Sequence, residues 1–183
     1  MDMMVEPETI LTFWYEELKP ADWWAADPGL DRRIAEQFGE THAHLALGEG
    51  FAWRVTARGR LAEIIVLDQF SRQLFRGQAR AFAQDGMALV LAQEAVASGF
   101  DAALATDEKA FLYMPLMHSE SLVVHEAAAP LFAALGGDYL KAAEGHLDVL
   151  RRFGRYPKRN AALGREATPA ELAYVAEGGN RMF

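Results

Sequence analysis

The sequence predicts an all-α fold: a single domain over residues 1–183, built from antiparallel helical hairpins and holding about seven to eight helices. Three observations predict it. Apolar residues recur at spacings of three and four almost throughout. Proline, glycine and capping residues cut that pattern into pieces of about 10–20 residues, joined by short loops that make neighbours antiparallel. No segment carries the period-two alternation of a strand. Ile64-Ile65-Val66-Leu67 is β-prone in isolation but lies inside a longer helical pattern. No internal repeat period is legible.

Pro7, flanked by Glu6 and Glu8, opens a first helix, where the missing N–H costs nothing and acids suit the dipole. Ile10, Phe13, Trp14 and Leu18 give it one apolar face, and Pro20 bounds it; Trp23 and Trp24 then cover the core from a loop. Asp27-Pro28 caps a second helix carrying Leu30, Ile34, Phe38, His42 and Leu45, ending at Gly48 or Gly50. His42 and His44, two apart, point to different sides and read as a surface pair. Thr56 caps a third helix with the stripe Leu61, Ile64, Ile65, Asp68, Arg72; Leu67 and Phe70 make it apolar on other sides, so it is central, and Gly77 ends it. A fourth runs from Arg80 to Ser98. A fifth, short helix begins at Thr106 and is interrupted by Pro115. Ser119 or Ser121 caps a sixth, kinked or broken by Pro130 near Glu126 and stopped by Gly136-Gly137. Asp138 caps a seventh, through Leu147, Leu150 and Phe153 to Gly154. Thr168-Pro169-Ala170-Glu171, a capping box with proline at the first position, opens the last.

Composition narrows function. Hydrophobic residues make up 51% of 183, enough for a real core and too much for disorder. No apolar run reaches the ~20 residues of a membrane span, and the acidic start Met1-Asp2-Met3-Met4-Val5-Glu6 is no signal peptide. No membrane partner is expected. Zero cysteines exclude disulfides and thiolate metal sites and predict a cytoplasmic chain. A net charge of −8 argues against nucleic acid as a partner. Nothing in the sequence sets an oligomeric state.

Three polar motifs stand out against that acidic background. Six cations lie between Arg151 and Arg165 with no Asp or Glu among them. Guanidinium groups so concentrated call for an anion or for buried carboxylates. Within this run, Arg155, Arg159 and Asn160 are ligand-binding candidates, with His146 upstream on the core side. The second motif is Asp68 to Gly77, in which Asp68, Arg72 and Arg76 step by four along one helix face. Arg72 and Arg76 are anion contacts in this reading and Asp68 orients an arginine. The third is Met117-His118-Ser119-Glu120-Ser121, where a loop enters a helix and can display side chains and N–H groups. His118 and Glu120 are the acid/base candidates. His118, Glu120, His125 and His146 lack any metal-ligand spacing, and there is no phosphate loop, dinucleotide fingerprint or nucleophile elbow. No metal and no cofactor is expected.

The stretches IIVLDQFSRQLFRGQARAFAQD, YMPLMHSES and RFGRYPKRNAALGREATPAE resemble the bacterial DUF924 family, and the likeness runs from ILTFWYEEL almost to the C-terminus. The resemblance implies a tetratricopeptide-like all-helical fold and no established activity. Its motif positions fall on Asp68, Gln69, Ser71, Arg72, Phe75, Arg76, Asp85, His118, Ser119, Glu120, Phe153, Gly154, Arg155, Pro157, Arg159, Asn160, Gly164 and Arg165. Lys158, Ser121 and His125 depart from the usual His, acid and Gln; Lys158 keeps a charge but is a poorer base near neutral pH.

These motifs support three readings. In the first, they form an internal pocket lined by Arg, His and Glu that binds a small anionic ligand bearing phosphate or carboxylate, with hydrolase-type acid/base chemistry within its reach. In the second, the helical hairpins present a groove to an acidic peptide or protein. In the third, the polar groups are a buried network that specifies helix packing.

Overall fold

The computed structural model describes residues 4–179, and among them every regular element is helical. The chain runs through α1 (Pro7–Thr12), α2 (Pro28–Ala46), α3 (Ala57–Ile64), α4 (Ser71–Leu74), α5 (Asp85–Ala97), α6 (Thr106–His118), α7 (Leu122–Leu135), α8 (Gly137–Phe153) and α9 (Pro169–Ala176). No helix among the described residues is long and apolar enough to cross a membrane.

The predicted central helix is central. α3 passes into α4 through a π-helical segment, Ile65–Phe70, and residues 61–71 are buried on every side. α1 and α5 pack on α3, α2 packs on α4 and the π segment, and α6 touches both α3 and the π segment. Trp14, Phe13, Phe38, Phe70 and Phe111 meet in the core, with Phe13 and Phe38 ring centroids 4.8 Å apart. α6, α7 and α8 continue outward as successive hairpins, α6 touching α7 and α8, and α7 touching α8.

Several boundaries differ from the sequence expectation. α6 runs unbroken through Pro115 to His118, and α7 runs through Pro130. A proline removes one backbone bond, and residues Ala110–Met117 are all buried, so packing outweighs that loss. The helix expected from Arg80 starts at Asp85, after a 3₁₀ turn at Ala79–Phe82. α8 starts at Gly137 and has no side-chain cap; Asp138 lies in its first turn. Gly136 alone joins α7 to α8 at φ 67°, ψ −160°, backbone that strongly favours glycine. His42 is buried, not on the surface, with Nε2 2.8 Å from Ser71 Oγ.

Candidate functional site

α6 ends inside the molecule, and this creates the local problem the polar motifs solve. The last carbonyls of a helix have no intrahelical partner and carry its negative end. Here Tyr156 Oη donates to the Met117 carbonyl at 2.6 Å and Arg159 Nη2 to the His118 carbonyl at 2.9 Å. The cationic loop docks on a helix exit. His118 was expected at a helix entry among free N–H groups; it is the last residue of α6, and Ser121 caps α7 at Val124 N.

His118 turns its ring toward the central helix. Its Nδ1 lies 2.8 Å from Asp68 Oδ1. The Asp68 side chain is 1% exposed and that of His118 15% exposed. Gln69 Nε2 donates to the other carboxylate oxygen at 2.6 Å, and Arg72 Nη1 lies 3.1 Å from Oδ1. Burial pushes the Asp68 carboxyl up, but Arg72 and His118 outweigh it and hold it below the usual carboxylate range. Burial pushes His118 down; Asp68 opposes this and Arg72 adds to it. The result is a neutral imidazole whose Nδ1–H is committed to a buried carboxylate. Its Nε2 has no hydrogen-bond partner among the described residues. Asp68 lies in the π-helical segment, a rare backbone form often found at functional sites.

Two guanidiniums flank this dyad. Arg72 bonds Asp85 through both terminal nitrogens, at 3.1 and 3.2 Å, and Arg159 bonds the same carboxylate at 2.9 Å. Phe82 lies under both, with guanidinium carbons 5.7 and 4.6 Å from its ring centre. Arg159 also lies over Tyr156 at 4.9 Å. His146 packs its ring 6.3 Å from that of His118 and 5.6 Å from that of Tyr156, and burial lowers its pKa to about 3.

Glu120 and Asn160 lie one step away and hold the loop. Glu120 accepts two bonds from Arg165, at 2.7 and 3.0 Å, and one from Tyr156 N at 2.6 Å. Burial raises its pKa, but these donors, together with the Arg159 charge, lower it by more, for a net fall. Asn160 Oδ1 accepts from Arg165 Nε. His125 Nε2 is 3.0 Å from both the Ser119 carbonyl and Tyr156 Oη. Since Tyr156 Oη donates to Met117, His125 is the donor to it.

The structure does not bring Arg76 or Arg155 to the dyad. α4 stops at Leu74, so Arg76 leaves the stripe and pairs with Asp31 of α2, two bonds of 2.8 Å. Arg155 bonds Glu171 at 2.6 and 2.8 Å and the Glu166 carbonyl, and so ties α9 down. Lys158 packs toward the same end, its Cε against Gly179. Of the candidates named from sequence, Asp68, Arg72, His118, Arg159 and His146 converge, and Glu120 and Asn160 support them.

Two clefts lie outside the dyad. One of about 350 Å³ between α7 and α8 is lined by His125, Phe132, Leu140 and Leu147; another of about 500 Å³ beside α9 is lined by Arg155, Phe153 and Glu171. Among the described residues no three His, Asp or Glu side chains are arranged to hold a metal ion. Of the residues that hold the site, Asp85 and Arg165 are marked in the sequence only as family motif positions and Tyr156 is not marked at all. Asp85 was findable by charge, since Arg72 and Arg159 needed a second carboxylate. Tyr156 gave no signal, because nothing local marks an aromatic hydroxyl as a helix cap.

The DUF924 family profile, described as a bacterial protein of unknown function, matches residues 10–179. A solved structure of a protein of unknown function from Agrobacterium tumefaciens is 38% identical, covering 94% of this chain and 97% of that chain at a TM-score of 0.90. No curated protein matches the chain. The chain belongs to the DUF924 family.

Proposed function

We propose that this protein binds a small anionic ligand at the exit of α6, with Arg72 and Arg159 as the anion contacts and His118 Nε2 as a proton acceptor. The observation that carries this reading is the Asp68–His118 dyad. A buried carboxylate fixes the Nδ1–H tautomer of a partly exposed ring and leaves the Nε2 lone pair unbonded among the described residues. A brace between helices needs no such free acceptor. A general base does, and its carboxylate partner steadies the imidazolium that forms. The chemistry this suits is hydrolysis of a phosphate or carboxylate ester. A water gives its proton to Nε2 as its oxygen attacks, and Nε2 returns the proton to the leaving oxygen. The cysteine-free composition supports a cytoplasmic setting.

One observation favours a purely structural second reading: each guanidinium of the cluster already has a carboxylate or carbonyl partner. Imidazole ¹⁵N NMR separates the two. On the first reading, inorganic phosphate shifts the His118 Nε2 resonance. Any hydrolysis found on a panel of aryl phosphates and esters falls at least about 100-fold in His118→Gln with the fold intact. An Nε2 resonance indifferent to phosphate, together with no turnover on the panel, overturns the first reading and leaves the second.

A further inference from the structure

Asp85 is held differently from the other carboxylates that accept two bonds from one guanidinium. Arg54–Glu63 and Arg155–Glu171 each close at 2.6 and 2.8 Å, Arg58–Glu8 at 2.7 and 2.8 Å, Arg76–Asp31 at 2.8 and 2.8 Å, and Arg165–Glu120 at 2.7 and 3.0 Å. Arg72–Asp85 stands at 3.1 and 3.2 Å, looser than all of these. Asp85 also bridges two arginines from different parts of the chain, 13 and 74 residues away. A carboxylate gripped edge-on by two guanidiniums is the arrangement that a bound carboxylate or phosphate would itself adopt.

We propose that Asp85 is a resident anion: it occupies the position between Arg72 and Arg159 that an incoming phosphate or carboxylate takes, so that ligand binding is an exchange of one anion for another. This rests on the anion-binding reading above and adds its gate. Asp85 is free to leave, since its side chain is 19% exposed whereas that of Asp68 is 1% exposed. It is the first residue of α5, where the helix dipole still favours a carboxylate after it turns to water. The arginines are not free to follow it. Arg72 stays bonded to Asp68, at Oδ1 and at the backbone carbonyl. Arg159 stays on the His118 carbonyl and over the faces of Phe82 and Tyr156. Departure of Asp85 leaves two anchored guanidiniums, one on Asp68 and one on the His118 carbonyl, which couples anion entry to the acid/base centre.

An internal competitor raises the apparent Kd in inverse proportion to the fraction of time it leaves the site free. Titration with inorganic phosphate, followed by calorimetry, tests the exchange. Asp85→Asn and Asp85→Ser are expected to bind phosphate about tenfold more tightly than the parent. Adding Arg159→Ala to either variant is expected to abolish the gain. The serine variant guards against an asparagine carbonyl that still accepts from the arginines. If the parent binds phosphate and the Asp85 variants bind it no more tightly, the exchange is wrong while the anion site stands. If none binds it, both readings fall. If the variants do not fold, the ¹³C resonance of the Asp85 carboxyl in the parent replaces them. It must move on phosphate addition together with the Arg159 guanidinium resonances; movement of Arg159 alone overturns the exchange.

Discussion

Three side chains four residues apart, Asp68, Arg72 and Arg76, have three different fates. Asp68 is sealed within the core as part of the π segment, Arg72 lies at the edge of the cluster, and Arg76 is 46% exposed and paired with Asp31. Removing one partner of a buried ionic cluster leaves the others desolvated and unanswered, whereas an exposed pair contributes little. Asp68→Ala is therefore expected to cost about 3 kcal/mol in urea unfolding, and Arg76→Ala no more than about 1 kcal/mol. Equal losses would show that the buried network is not the stronger element. The sequence made the choice of Asp68 and Arg72 legible, because a charged pair continuing a core stripe needs an internal answer. It did not separate Arg76 from them. That required knowing that the helix stops at Leu74, and a periodic pattern does not record where backbone bonding ends.

At the scale of elements, most side-chain caps were readable while interruptions were not. Asp27, Thr56, Ser121 and Thr168 each cap a helix through the side chain, because the capping oxygen and its target N–H are two to three residues apart. Pro115 misled, since burial of the turns around it is a tertiary property; α7 also continues through Pro130, which is itself exposed. The loop after Gly154, φ 71°, divides its arginines between two duties: Arg159 serves the end of α6, and Arg155 serves α9. α9 is short, and its attachment depends on the Arg155–Glu171 bonds and its capping box. Arg155→Ala is expected to speed amide hydrogen exchange throughout α9 while leaving phosphate binding at the α6 exit unchanged. Slow exchange in α9 combined with lost phosphate binding would move Arg155 from the second duty to the first.

For the whole molecule, the buried histidines set the response to acid. His42, His118, His125 and His146 are all lowered, and in each the largest cause is burial. The folded state therefore binds fewer protons than the unfolded chain below the ordinary histidine range. Stability is complete at neutral pH and falls as pH drops, for His146 down to about 3. Asp68, Glu8 and Glu120 are also lowered, so their contributions are lost with falling pH as well, at more acid values. His146→Gln is expected to take one proton from the dependence, flattening it by about 1.4 kcal/mol per pH unit between about pH 6 and pH 4. Urea midpoints measured across that range would show it, and an unchanged slope would overturn the assignment. The long reach from Asp85 to Arg159, 74 residues, has a consequence for biosynthesis. A ribosome-bound chain that has delivered α1 to α8 already holds Asp68 and His118, but lacks the arginine that crosses to Asp85 and the tyrosine that closes α6. The centre is completed by the last segments to emerge, so truncation after Phe153 would leave the helices that precede it and the Asp68–His118 pair with only half of its cationic frame.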